Sequence, residues 1–353
     1  MFNERSCAAC HSMGGPGGAG PNEKNTLLLD GALLHRQSTD PNYMTWRAEQ
    51  MEPIDFIMVH VESGTGDLDF FEEPILRTES QRNTPALWGI GLIELIPEEA
   101  ILAQRDRANE KHEAISGRAS RSADGALNRL GWKGDVASVD AFVRQACSHE
   151  LGLSVPGSPQ PPLATHPKPP RPKQNASPGL DLDEAGVSDL IAYLNALPRP
   201  TMRYPLTNQG KAQSGQQLFS KIGCDGCHTP ELGGVDGIYS DLLLHDMGAQ
   251  MDATGGSYGF QEPATRPVAA GEGEAPAGSR EWRTPPLWGV ADSAPYLHDG
   301  RAPDLATAIS MHGEEAQGVV QNWFALTTQE RQQILNFLGT LKAPHSPHPQ
   351  GRG

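Results

Sequence analysis

The sequence is poor in apolar residues, in basic residues and in long hydrophobic runs. Apolar residues make up 37% of its 353 positions, below the ~45–50% of ordinary globular domains. The chain therefore has little apolar surface with which to build a core by itself. Its formal net charge of −15 argues against nucleic-acid binding, which needs a positive surface. No stretch approaches the ~18–20 apolar residues of a membrane span.

Cysteine is scarce as well, and four of the five cysteines belong to two copies of one motif. Cys-x-x-Cys-His occurs at 7–11 and again at 224–228. The spacing suits c-type haem, in which two thiols form thioethers with the vinyl groups of one porphyrin. The next histidine then serves as the proximal iron ligand, and the porphyrin supplies apolar core. The predicted residues are Cys7, Cys10 and His11 for haem 1, and Cys224, Cys227 and His228 for haem 2.

Two other uses of such cysteines are a redox disulfide and a zinc site with four thiolates. A zinc ribbon separates its cysteine pairs by ~15–20 residues, whereas more than 200 residues separate these two. Neither alternative requires a histidine directly after the second cysteine, and both copies have one. The pattern favours haem.

The two halves of the chain resemble each other beyond the cysteine motifs. Segments 82–89 and 282–289 agree at five of eight positions, and both end in Leu-Trp-Gly. Amphipathic helices are predicted at 188–197 and 333–341, each followed by proline. Because the same parts occur twice in the same order, we predict a mainly α fold with two cytochrome c-like domains from an internal duplication.

The predicted domains are 1–200, with haem 1, and 201–353, with haem 2. A Pro-rich connection at 156–178 contains nine prolines and is predicted to be extended. A short helix at 215–223 should deliver Cys224, but only six residues precede Cys7. We therefore expect the first domain to lack its first helix here, together with the signal peptide that export requires.

The first half also carries long loops and an insertion after its Trp-Gly element. Pro97 fits the first turn of a helix that runs to Lys111. A second helix is predicted from Ser138 to Glu150. Cys147, on its apolar side, is interpreted as a buried free thiol.

The ligands on the far sides of the two irons decide between electron transfer and catalysis. For haem 2, Met311 and His312 are both competent, and chemistry alone does not separate them. In the first half Glu94 is a candidate general acid for peroxide cleavage, or an ordinary glutamate leading a helix. Other candidate ligands of the first iron are His35, His60, Met44, Met51 and Met58.

Further residues have a candidate role beside the haems. Trp88 and Trp288 either assist electron transfer or simply pack. Arg283 is predicted to pair with a haem propionate. His245 and Asp246 either hydrogen-bond near haem 2 or have a structural role.

With its motifs in this order, the chain resembles the di-haem oxidoreductase family, relatives of the bacterial di-haem cytochrome c peroxidases. The resemblance spans nearly the whole chain, and its motifs are jointly specific. It implies two covalent haem c groups, a periplasmic location and electron exchange between the haems. The segments that carry it are Phe2-Asn3, 82–89, 116–118, 131–133, 239–248, 283–289 and 295–301.

In those peroxidases a methionine lies fourteen residues after the histidine of the His-Asp-Gly motif and binds the second iron. Counted from His298 that position is His312, so the resemblance implies two histidines on haem 2. The chain also lacks the Trp-Asp-Gly element of the peroxidases. Both departures weaken the expectation of peroxidase activity, and rubber-cleaving di-haem oxygenases are distant relatives too.

We predict a haem-dependent, peroxidase-like oxidoreductase of the periplasm. Haem 1 would face the substrate, a peroxide or another small oxidant, and haem 2 would exchange electrons with a small basic redox protein, which the acidic surface would attract. The alternatives are an electron carrier with both haems six-coordinate, an oxygen-using enzyme, and a haem-free redox or zinc protein. A calcium ion between the domains is compatible with the family, but no carboxylate loop indicates one.

Overall fold

The computed structural model describes residues 1–30, 32–51, 54–62, 68–75, 79–111, 114–160, 179–204, 209–257 and 275–344. For 54–62, 68–75 and 108–111 it describes the backbone alone. Most of the predicted Pro-rich connection, from 161 to 178, lies outside the described residues.

The described part of the first half contains five helices. They are α1 (Tyr43–Met51), α2 (Ile90–Glu94), α3 (Glu98–Lys111), α4 (Val139–His149) and α5 (Glu184–Asn195). α3 begins directly after Pro97, as predicted. α4 has Ser138 as its N-cap, whose hydroxyl accepts the N–H of Ala141 and so satisfies a free donor. α5 begins at Glu184 rather than 188, because the Asp183 carboxylate caps its first turn.

The second half is built around two crossing helices, α6 and α9. Its helices are α6 (Gln209–Ile222), α7 (Leu305–Ser310), α8 (Gln317–Ala325) and α9 (Thr328–Leu338). α6 confirms the helix predicted before Cys224. It passes α9 so closely at Gly215 that a Cβ there would lie 1.9 Å from the carbonyl oxygen of Gln333. Thr327 and Glu330 form a capping box at the start of α9.

Short antiparallel strands complete the fold, and the sequence analysis does not predict them. They are β1 (Thr26–Leu29), β2 (Ala32–Leu33), β3 (Ile54–Glu62), β4 (Leu68–Ile75), β5 (Glu79–Arg82), β6 (Thr201–Met202), β7 (Glu231–Leu232), β8 (Val235–Asp236), β9 (Leu244–Asp246), β10 (Glu281–Arg283) and β11 (Leu341–Lys342). β1 lies between β2 and β5, and the other described strands pair as β3–β4, β6–β11, β7–β8 and β9–β10. The fold is thus helical with some sheet.

The predicted boundary at residue 200 does not separate two cores. One apolar cluster joins Leu87, Val139 and Val187 of the first half to Leu243 and Trp288 of the second. A second cluster lies between α6 and α9. The domain limits therefore stay a prediction. None of the described helices combines the length and apolar character that crossing a membrane requires.

The two Leu-Trp-Gly segments pack against each other reciprocally. A Cβ on Gly89 would lie 2.8 Å from the ring of Trp288, and a Cβ on Gly289 would lie 2.7 Å from the ring of Trp88. Both glycines have positive φ, +70° and +77°, which residues other than glycine rarely adopt. We call these four residues the Trp–Gly clasp. It holds the two halves of the chain together.

Candidate haem sites

The second cysteine motif stands at the end of α6, where Gly223 turns the chain with φ of 103°. A 3-10 turn, Cys224–Gly226, follows, and the N–H of His228 donates to the carbonyl of Cys224. This compact turn brings both thiols and the imidazole to one side of the backbone. Burial raises the pKa of the Cys224 thiol to about 12.

His228 has the geometry of an iron ligand. Its Nδ1 lies 3.0 Å from the carbonyl oxygen of Tyr239, so a neutral ring donates from Nδ1 and leaves Nε2 free to bind a metal. Burial lowers the pKa of His228 to about 4, partly opposed by that hydrogen bond, and His312 lowers it further. The imidazole is therefore neutral at pH 7.

His312 approaches the same space from the end of α7. Its Nδ1 lies 2.7 Å from the carbonyl oxygen of Ala308, which again leaves Nε2 for a metal. Burial lowers the pKa of His312. His312 lines the cavity that Cys224, Cys227 and His228 line, whereas Met311 does not. The placement favours His312 over Met311, which chemistry alone left open.

The cavity has a volume of about 290 Å³ and a mainly apolar wall contributed by both halves of the chain. From the second half it is lined by Phe219 and Leu338, and from the first by Pro85, Leu130 and Phe142, among others. An apolar pocket with two neutral imidazoles suits a porphyrin, whose apolar macrocycle needs burial and whose iron needs nitrogen ligands.

The first motif repeats the turn but not its surroundings. A 3-10 turn, Cys7–Ala9, precedes His11, whose Nδ1 lies 3.3 Å from the carbonyl oxygen of Gly18. Burial lowers the pKa of His11 to about 4, partly opposed by hydrogen bonds to the carbonyls of Gly18 and Pro85, so this imidazole too is neutral. No helix precedes the turn among the described residues, and Cys7 is exposed. Burial chiefly raises the pKa of Cys10 to about 11.

The described candidates for the far side of the first iron do not line the cavity of the second motif, and neither do Cys7, Cys10 and His11. His35 uses its Nε2 on the carbonyl oxygen of His149, 2.7 Å away, and Met44 and Met51 are exposed. The side chains of His60 and Met58 lie outside the described residues. Among the candidates that the structure describes, none lines the cavity.

Glu94 ends α2 and reaches the start of α4. Its Oε1 accepts the N–H of Val139 at 3.0 Å, and its carbonyl accepts from the guanidinium of Arg129. A carboxylate at the start of a helix is favourable because it meets free N–H groups and the positive end of the dipole. The contact is what an ordinary structural glutamate would make, and a catalytic role for Glu94 stays a prediction.

Arg283 is buried on the cavity wall. Its Nε donates to the carbonyl of Gly131 at 2.7 Å and its Nη1 to the carbonyl of Thr284 at 3.1 Å. Burial lowers the pKa of Arg283 to about 10, still far above neutrality, so the group is a buried cation. This suits the predicted pairing with a propionate.

His245 and Asp246 each bind a different charged partner near the second motif. His245 lies between Asp241 Oδ2, 2.9 Å from Nε2, and Glu315 Oε2, 2.8 Å from Nδ1, while Asp246 binds Arg280. Among the described residues one group of His, Cys, Asp and Glu side chains could hold a metal ion, and it joins Cys227 to Asp241 and His245. Both nitrogens of His245 already have carboxylate partners. In the described part of the chain no such group unites cysteines of the two motifs, so a four-thiolate zinc site is not supported.

His298 is a cavity residue whose role the sequence analysis misses. It is buried and lines the cavity, its Nδ1 has no hydrogen-bond partner among the described residues, and its ring stacks on Trp282 at 3.6 Å. The Lys133 ammonium lies 3.6 Å from the Trp282 ring centroid. The His-Asp-Gly motif is the sequence signal that could identify His298. The sequence analysis takes it only as the starting point for locating His312.

Comparison with known proteins adds a family. The model described as "Di-haem oxidoreductase, putative peroxidase" matches residues 70–341, a range that contains the second motif but not the first. Hydrazine synthase from Kuenenia stuttgartiensis, solved under xenon pressure, is 20% identical with a TM-score of 0.39, covering 74% of this chain and 73% of that chain. A MauG-like protein associated with microbial copper homeostasis is 18% identical with a TM-score of 0.36, covering 71% and 92%. The search of curated proteins finds no match.

Proposed function

Because the chain belongs to the di-haem oxidoreductase family, we propose that it is an exported two-haem c-type enzyme that reduces a small oxidant such as peroxide. The observation that carries this proposal is the meeting of His228 and His312 on one buried apolar cavity that Cys224 and Cys227 also line. Cofactor identity comes from the family, and the covalent mode of attachment from the two Cys-x-x-Cys-His motifs.

Haem 2 would be held by thioethers to Cys224 and Cys227, with His228 and His312 on its two faces and Arg283 beside a propionate. A bound haem supplies one-electron redox chemistry, and two nitrogen ligands would leave no position for substrate. Tyr239 and Ala308, through their carbonyls, orient the two imidazoles so that Nε2 faces inward. This site fits an electron relay.

Haem 1 would be held by Cys7, Cys10 and His11, and we propose it as the substrate site. Reduction of hydrogen peroxide to two waters takes two electrons and two protons, so a proton donor is needed near the substrate. Glu94 is the proposed donor. Its contact with the backbone N–H of Val139 orients the carboxyl group.

The proposed electron source is a small basic redox protein. The net charge of −15 would steer such a partner toward the acidic surface and accelerate its encounter. The proposed location is the periplasm, where c-type haem is attached to exported chains.

The test uses full-length chain exported to a periplasm. A pyridine haemochrome assay should give two c-type haems per chain, and electron paramagnetic resonance (EPR) should show one low-spin and one high-spin ferric signal. Peroxide should be consumed with a reduced small cytochrome as donor. Two low-spin signals without turnover would instead identify an electron carrier, and oxygen uptake in place of peroxide consumption an oxygenase. A colourless protein with the mass of the bare chain would overturn the proposal.

A further inference from the structure

The carboxylate of Glu315 is the meeting point of three separate segments beside the second haem site. It accepts hydrogen bonds from the 116–117 turn, from His245 and Asp246, and it stands three residues after His312. We propose that Glu315 is a positioning residue that holds His312 over haem 2. The inference rests on the ligation proposed above and goes beyond it.

Both oxygens of the Glu315 carboxylate accept hydrogen bonds. Oε2 accepts from the N–H of Ser116 at 2.9 Å, the N–H of Gly117 at 3.3 Å and Nδ1 of His245 at 2.8 Å. Oε1 accepts from the Ser116 hydroxyl at 2.8 Å and the N–H of Asp246 at 3.0 Å. Each of these five contacts comes from a donor. Only a group with two acceptor oxygens can satisfy all of them.

His245 extends the network to a second carboxylate. Its Nδ1 lies 2.8 Å from Oε2 of Glu315 and its Nε2 2.9 Å from Oδ2 of Asp241, so the ring joins the two carboxylates. Asp241 is fully buried and also accepts the N–H of Leu243. Hydrogen bonds between charged groups in a buried setting are short and strong, so the carboxylate of Glu315 is held in one place.

The network reaches both the cysteine motif and the His312 segment. His245 Nδ1 lies 3.7 Å from Sγ of Cys227 and 2.8 Å from Oε2 of Glu315. Glu315 is on the segment that follows His312. The 116–117 turn comes from the first half of the chain, directly after Ile115, which lines the cavity. One carboxylate thus ties the His312 segment to the cysteine motif and to the other half of the molecule.

Local structure alone does not hold this segment. α7 ends at Ser310, and only a 3-10 turn, Glu314–Ala316, follows before α8. Glu314 has φ of 44°, an unfavourable backbone conformation for a residue with a side chain. Such a conformation persists only where surrounding contacts impose it, and the Glu315 carboxylate provides these contacts one residue away.

The test compares Glu315→Gln with Glu314→Gln in the exported protein. In Glu315→Gln an amide NH2 would replace one acceptor oxygen and would face hydrogen-bond donors. Glu314 is exposed, so Glu314→Gln is a matched control. We expect Glu315→Gln to retain both haems, to lose intensity in the low-spin EPR signal of haem 2, and to bind cyanide at haem 2 ~10–100-fold more tightly, the usual size of effects from residues behind a ligand. Glu314→Gln should match the wild type.

Wild-type cyanide affinity and EPR signals in Glu315→Gln would overturn the inference. If that variant does not incorporate haem, Ser116→Ala, which removes one hydroxyl donor from Oε1, decides the question. A tighter cyanide complex at haem 2 in Ser116→Ala supports the inference, and an unchanged one refutes it. His312→Ala tests the underlying ligation separately: an unchanged haem 2 spectrum there would reject His312 as the ligand, whatever Glu315 does.

Discussion

The two Cys-x-x-Cys-His turns have the same local form and different surroundings. At the second motif, α6 leads into the turn, Cys224 is partly buried, and His312 faces the same cavity as His228. The first motif repeats this turn, but Cys7, Cys10 and His11 do not line that cavity. Equal motifs therefore do not imply equal sites.

The proposed function assigns different roles to the two haems. A haem with two imidazole ligands suits electron transfer, whereas a haem without a second protein ligand would leave room for substrate. Four experiments test this comparison.

The largest effect is expected from removing the cysteines of one motif at a time. Cys224→Ala/Cys227→Ala and Cys7→Ala/Cys10→Ala should each carry one haem, measured by intact mass. Loss of haem 2 should also reduce the free energy of unfolding by roughly 3–5 kcal/mol, as for emptying a large core site, because its cavity lies within the core. Equal free energies of unfolding for the two double variants would contradict the comparison.

The Trp–Gly clasp gives the next largest effect. Gly89→Ala and Gly289→Ala force a side chain into positive φ, at about 1–2 kcal/mol, and into the facing tryptophan ring, at about 1–3 kcal/mol. Gly125→Ala is the control, since Gly125 has φ of +88° and open space around its Cβ position. Denaturant unfolding should show similar large losses for the first two variants and a smaller one for the control. Equal losses in all three would argue against the clasp.

Substitution of His35 tests whether this histidine of the first half is structural or binds the first iron. Burial lowers its folded pKa from 6.5 to about 4, so between these values the unfolded chain binds more protons and stability falls as pH falls. The loss reaches at most about 3 kcal/mol, at about 1.4 kcal/mol per pKa unit. His35→Gln should make the free energy of unfolding depend less steeply on pH between about 4 and 6.5. It should leave the haem 1 EPR signal unchanged. A shifted haem 1 signal would make His35 a ligand.

Glu94 gives the smallest expected change in stability. Glu94→Gln keeps an oxygen for the N–H of Val139, so stability should stay within about 0.5 kcal/mol of the wild type. Peroxide turnover should fall by roughly 10²-fold, because the amide cannot donate a proton as an acid does. Glu99→Gln, which changes an exposed glutamate at the start of α3, is the matched control and should keep wild-type turnover. Wild-type turnover in Glu94→Gln would leave the glutamate with only its helix contact.

Much of the helical framework could be predicted from local signals. Pro97, Ser138 and the apolar spacing in α4 and α9 act within a few residues, so they are readable from the chain. The start of α5 was misplaced because its cap, Asp183, lies before the apolar pattern begins. Most of the strands were missed because strands of two to four residues carry too little alternation to read.

The site was predicted in part for the same reason. Haem attachment depends on residues within one pentapeptide, and the resemblance to a family supplied His312 by counting. The pairing of His245 with Glu315 joins residues 70 positions apart and has no local signature. No local pattern marks His298. Its burial, its stacking on Trp282 and the lack of a partner for its Nδ1 among the described residues all depend on tertiary packing.

The spacing of neighbouring residues is enough to predict where two haems would be attached, since thioether formation and proximal ligation need only adjacent side chains. Packing was needed to bring the second motif, but not the first, to the shared cavity, to place His312 rather than Met311 on it, and to join three segments at one carboxylate. These outcomes depend on contacts between residues that are far apart in the sequence. Such contacts form only when the two halves of the chain pack together and exclude water from the surface between them.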